Sequence, residues 1–238
     1  VMMDAPDAFE FTSPKPAERQ RAINLTRKTL EMATRFGTDR VVVHLGSVPM
    51  KSITLQLEEL AAQGDLYSKE FTERKLRLVT MREEASKKHL DRVRAALDEL
   101  IPECEKLGVR LGIETRSHYE QIPNQREMSL LLQEYHDCPW IGSWHDFGHV
   151  QRQANLALLD HEIYLREISP RLLGCHVHDV QWPAKDHRTP FSSGGVALAQ
   201  LLPWVGREVP LIWEIAPSQK RESIAAALEA WTRNGLPV

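Results

Sequence analysis

The chain has 238 residues, enough for one sizeable core. Single α/β barrels of about 250 residues are common, so length does not demand a second domain. A hydrophobic share of 42% and a charged share of 26% are ordinary for a soluble globular protein, and a formal net charge of −3 gives no global attraction for nucleic acid. The cysteines, Cys104, Cys138 and Cys175, form no CxxC pair or disulfide framework, and no signal-peptide pattern or long apolar run is present; the expectation is a cytoplasmic protein without a membrane segment.

The chain opens with Val1-Met2-Met3-Asp4-Ala5-Pro6, which reads as the end of a strand. After a loop with Pro14 and Pro16, apolar spacing predicts a helix over 17–36 that Gly37 stops. The β-branched run Val41-Val42-Val43-His44 reads as a strand buried on both faces. The charged region 52–107 predicts a short helix, a break at Gly64-Asp65 and a long helix from about Ser68, its charges forming a solvated outer face. Further strands are predicted over 109–114, 140–146, 172–179 and 209–214. Helices are predicted over 128–135, 156–168, 197–205 and 221–233. Strands alternating with helices imply βαβ units and a parallel sheet, an α/β (β/α) TIM barrel as a single domain over 1–238.

Each apolar run ends in an acid or a histidine: Asp4, His44, Glu114, Asp146, His178 and Glu214. In a parallel barrel these strand ends meet at one rim, the C-terminal face, where barrel active sites lie. Glu, Asp, His and Glu together make a mixed oxygen and nitrogen donor set that suits a divalent ion such as Mn²⁺, Co²⁺, Mg²⁺ or Zn²⁺. Unpaired carboxylates in a barrel mouth would repel one another, and a cation removes that penalty. The bland alternative is that each residue caps a helix or pairs with an arginine. It serves for any one position and poorly for the set.

Four phrases, Gly112-Ile113-Glu114-Thr115-Arg116, His145-Asp146-Phe147-Gly148-His149, His176-Val177-His178-Asp179 and Trp213-Glu214, resemble the xylose isomerase-like barrel superfamily. That grouping holds sugar isomerases and epimerases and the endonuclease IV type of DNA-repair enzyme. The resemblance implies that Glu114, Asp146, His178 and Glu214 are metal ligands, with Glu114 and Glu214 also catalytic. It places His44, His149, Asp186 and His187 as candidates for a second metal or for substrate. Asp186-His187 stands where the endonucleases carry an Asp-x-His pair, with the histidine one place early, and Asp4 stands where a histidine is usual. Both departures speak against a full trinuclear zinc cluster. The resemblance also aligns the opening run with the third barrel strand, which implies that two βα units are absent from this chain. A truncated gene model or closure by another chain is then expected, because an open barrel exposes sheet edges and an apolar interior.

The activity this implies is isomerisation or epimerisation of a sugar or sugar phosphate by proton transfer through an enediolate, with a small carbohydrate as partner and a homo-oligomer as a candidate assembly. Arg116, His118, Lys185 and Arg188 lie on predicted rim loops as substrate contacts, each with a solvated-loop alternative, and Trp182 would stack on a sugar or cover the mouth. Trp144 and Trp213 are read as packing residues that point away from the rim, His145 as an outward packing residue, and His176 as a satisfied interior histidine. Two other readings stand beside the isomerase: a zinc phosphodiesterase of the endonuclease IV kind, and a non-catalytic barrel that keeps the site's shape.

Overall fold

The computed structural model describes residues 9–183 and 185–236, so the opening run and Asp4 lie outside the described residues. Helix α1 (Pro16–Arg35) starts with a proline in its first turn, where the missing N–H removes no helical bond. Strands β1 (Arg40–Val43) and β2 (Gly46–Ser47) follow. The charged region forms α2 (Ile53–Ala62) and the 39-residue α3 (Lys69–Leu107). Ser68 caps α3 by accepting the Phe71 N–H, and Gly108 closes it in the left-handed conformation.

Next come β3 (Arg110–Glu114), β4 (Gln121–Ile122) and α4 (Gln125–Glu134), the last opened by a capping box in which Asn124 and Glu127 satisfy each other's backbone N–H. Strand β5 (Ile141–Asp146) runs straight into α5 (Phe147–Asn155), and α6 (His161–Ile168) follows. After these lie β6 (Leu172–Val177), β7 (Asp179–Gln181), β8 (Lys185–Arg188), the short α7 (Leu198–Leu201), β9 (Leu211–Trp213) and α8 (Arg221–Arg233).

Five strands form one parallel sheet in the order β1-β3-β5-β6-β9, the (β/α) barrel arrangement expected from the alternation. Two antiparallel pairs, β2–β4 and β7–β8, stand apart from it. Ile212, on the face of β9 that Glu214 continues, is 47% exposed, as expected of an open sheet. The helices pack on the other face: α1, α3 and α4 cover β1, β3 and β5 through residues such as Leu30, Leu97, Leu111 and Leu131. A separate apolar cluster joins α2 to the first part of α3 through Ile53, Leu57, Phe71 and Leu78.

Two expectations need correction. The helix expected over 156–168 forms only as α6 over 161–168, after a turn, and the stretch before it holds a helix that was not predicted, α5 over 147–155. Gly148 sits inside α5, and a Cβ there would lie 1.9 Å from the His178 ring, so only glycine fits. Trp144 does not point away from the rim. It shares the face of Asp146, its ring packs edge-on against His176 at 5.2 Å, and a Cβ on Gly174 would strike it at 2.2 Å. Trp213 does pack outward, against Trp231 of α8 at 5.4 Å.

Candidate active site

Parallel strands of matched register deliver their last residues to one rim. Glu114 and Asp146 end β3 and β5, and His44 and Glu214 directly follow β1 and β9. Asp146 does two local jobs: it ends the strand, and its Oδ1 caps α5 by accepting the His149 N–H at 2.7 Å. This cap fixes the carboxylate before any ligand is considered.

The four residues whose donor atoms come within 4.8 Å of one another are Glu114, Asp146, His176 and Glu214. His176 belongs to this grouping, and His178 belongs to a second one that shares Asp146. The His176 Nδ1 donates to Glu114 Oε1 at 2.7 Å and lies 3.1 Å from Glu214 Oε2. His178 comes after the end of β6, where strand alternation no longer sets direction. The chain turns there because Asp179 is wholly buried and accepts the backbone N–H groups of Val180, Ser193, Gly194, Gly195 and Val196. That anchors the β7–β8 hairpin beside the sheet and swings His178 under Asp146. The His178 Nδ1 accepts the His187 backbone N–H at 2.8 Å, so the ring proton sits on Nε2 and points at Asp146 Oδ1, 2.9 Å away. In this arrangement His178 orients the aspartate.

Charge in the site is concentrated and poorly hydrated. Glu114 is 1% exposed and Asp146 fully buried. Burial alone would raise the Glu114 carboxyl; hydrogen bonds from His176 and His44 outweigh it and hold the group well below the ordinary carboxylate value. Arg116 adds a 2.9 Å ion pair to Glu114 Oε2. Burial works against a charged His176, yet its contacts with Glu114 and Glu214 carry it up to about 10. Glu214 is correspondingly lowered by His176 and His187. The imidazole stands between two glutamates and shares a proton with them, and a divalent cation would take that proton's place. Three carboxylates and one imidazole nitrogen around one point are also the donor chemistry a divalent cation takes, so the residues fit one.

A second grouping, Asp146, His149, His178 and His187, shares Asp146 with the first and also has donor atoms within 4.8 Å of one another. The His149 Nδ1 donates to the Thr115 carbonyl at 3.1 Å, which leaves Nε2 as the ring's acceptor. His187 stacks on His178 with centroids 4.2 Å apart and donates from Nδ1 to Asp186 at 2.9 Å. The other Asp186 oxygen is taken by Arg152 at 2.5 Å.

The remaining rim residues are dispersed. Arg116 is buried against Glu114 rather than standing on the loop surface. His118 lines a 310 Å³ cavity with Glu10, Ser47, Ser52 and Glu120. Trp182 packs between two apolar clusters as a cover. Lys185 is exposed on the hairpin, and Arg188 is half-buried there. Sequence reasoning overlooked Arg152, Glu58 and Arg82. Their signal is three-dimensional, since Arg82, wholly buried in α3, pairs with Glu127 and also donates to the carbonyls of Tyr119 and Gln121 at 2.8 Å.

The family model for xylose isomerase-like TIM barrels matches residues 1–234. Among solved structures, a D-tagatose 3-epimerase-like protein superposes with a TM-score of 0.68 at 16% identity, covering 95% of this chain and 73% of that one. D-allulose 3-epimerase from Methylomonas sp. gives 0.66 at 15% identity, over 95% and 74%. The IolI protein with a binding zinc atom gives 0.63 at 14% identity, over 95% and 72%. No curated protein matches the chain by sequence. At such identities the structural likeness speaks for the fold, while the family match spans nearly the whole sequence: the chain belongs to the xylose isomerase-like TIM barrel family.

Proposed function

We propose that this protein is a divalent-metal-dependent isomerase or epimerase of a sugar or sugar phosphate, acting by proton transfer at a carbon next to a carbonyl. The observation that carries the reading is the convergence of Glu114, Asp146, His176 and Glu214 at the carboxyl ends of the strands. Its support from outside the chain is that the structural neighbours include proteins named as tagatose-like, allulose and ribulose epimerases. Those four residues would hold the ion, with His178 fixing Asp146 from behind. A bound divalent ion supplies positive charge to the oxygen on which negative charge develops. Glu114 and Glu214 approach from different strands, so one removes a proton and the other delivers one. His44 and Arg116 occupy the second oxygen of Glu114 and set its direction. His149, with Nε2 open, is placed to accept a substrate hydroxyl.

A second reading, phosphodiester cleavage by several zinc ions, draws on the grouping of Asp146, His149, His178 and His187. The ion pair of Asp186 with Arg152 weighs against it. Elemental analysis of purified protein separates the two: one divalent ion per chain for the isomerase, two or three zinc ions for the phosphodiesterase. Glu214→Gln is expected to weaken metal retention and to lower turnover of its ketose by roughly 10²–10⁴-fold. Metal content and conversion across a ketose panel that both survive this change would remove the site as drawn.

A further inference from the structure

Helix α2 and the β7–β8 hairpin share no backbone pairing. Among the described residues, Trp182 packs on the apolar cluster of α2, and one charged side chain joins the two elements. Arg152, on α5, donates from Nε and Nη2 to the two oxygens of Glu58 on α2, both at 2.9 Å, and from Nη1 to Asp186 on the hairpin at 2.5 Å. Its Nη2 also lies 3.4 Å from the His118 ring on the loop after β3. Glu58 is 5% exposed and the Arg152 side chain 12%, so the pairing is screened from water and one partner lost leaves a buried charge behind. A lysine could not reproduce it, because only a guanidinium presents two parallel N–H groups to one carboxylate and a third to another.

What depends on the clamp is His187. Its φ is +53°, a backbone conformation that residues other than glycine seldom hold without outside support. That support is Asp186, which accepts from His187 Nδ1 through one oxygen while Arg152 holds the other. In this pose the His187 ring lies flat on His178 and its Nε2 is 3.6 Å from Glu214 Oε2.

We propose that Arg152 is a positioning residue of the site, clamping α2 to the β7–β8 hairpin and, through Asp186, holding His187 against His178 and Glu214. The importance given to that pose rests on the proposed function; the clamp itself is testable without it.

The test is hydrogen exchange and histidine-ring NMR on the full chain. Arg152→Gln is expected to speed exchange on the order of tenfold or more in both 53–62 and 179–188, with the β3 and β5 amides unchanged. It should also move the His187 ring signals away from their stacked positions. Asp186→Asn should affect only the hairpin and His187, and Glu58→Gln only α2. Arg152→Lys should leave the His187 signals near those of the parent protein while α2 exchange still rises, and this pair of variants carries the test if Arg152→Gln does not fold. Unmoved His187 signals in Arg152→Gln or Asp186→Asn, or acceleration spread evenly over the sheet, would overturn the clamp. The expected pattern in a protein that retains no metal and converts no ketose would keep the clamp and remove the proposed function instead.

Discussion

The two histidines of the His176-Val177-His178 sequence are chemically identical, and their surroundings separate them. His176, on β6, directs Nδ1 at Glu114 and Glu214. His178, past the strand end, spends Nδ1 on the His187 backbone N–H and its Nε2 proton on Asp146. A ligand and an orienting group differ in the size of their loss. His176→Ala is expected to abolish tight metal retention, whereas His178→Asn should weaken it by roughly 10–100-fold, the usual cost of losing a group behind a ligand. Titration of the purified variants with Mn²⁺ or Zn²⁺, read by calorimetry, checks this; equal losses would erase the distinction.

At the scale of elements, the step from β5 into α5 has no connecting loop. Asp146 ends the strand and caps the helix, and Gly148 lets the first turn of α5 pass over the His178 ring. Gly148→Ala is therefore expected to raise helix propensity and still destabilise the fold. The gain of up to about 1 kcal/mol from replacing helical glycine is set against a Cβ at 1.9 Å from a ring buried on all sides. Overpacking of this kind costs about 1–3 kcal/mol. Thermal unfolding gives the sign, and metal titration of the same variant should show weakened binding because His178 must move away from Asp146.

For the molecule as a whole, a buried pair outside the rim contributes to acid sensitivity. The His145 and His161 Nε2 atoms lie 3.0 Å apart, and His161 Nδ1 donates to Gln151 at 2.9 Å. Burial pushes His161 down to about 3 from 6.5, and it pushes His145 well below its usual value too. Both rings are neutral above 6.5 in the folded and unfolded states, so they leave stability unchanged there. As pH falls from 6.5 towards 3, the unfolded chain takes up protons that the native fold refuses, and stability drops. Each ring contributes up to about 1.4 kcal/mol per pH unit. His161→Gln, which still accepts a bond from His145, is expected to reduce that slope by about half in urea unfolding between pH 6 and 4. An unchanged slope would assign the acid sensitivity to other groups.

The parallel α/β plan and the strand ends that form most of the rim are legible in the local pattern of residues. Periodicity marks α1, the break at Gly64 and the start of α3, and α8 falls on the predicted span, because burial of one helix face is written locally in the spacing of apolar residues. Glu114, Asp146 and Glu214 were legible for a similar reason: a polar residue ending an apolar run marks where a strand reaches the rim. Three-dimensional packing alone settles which histidine joins them in one grouping, that Trp144 faces inward, and that Arg152 bridges α2 and the β7–β8 hairpin. Those depend on where β6 releases the chain and on partners as distant in sequence as Glu58 and Asp186. A side chain's direction past a strand end, and the choice of its partner across elements, are set by packing in three dimensions and leave no period in the sequence to read.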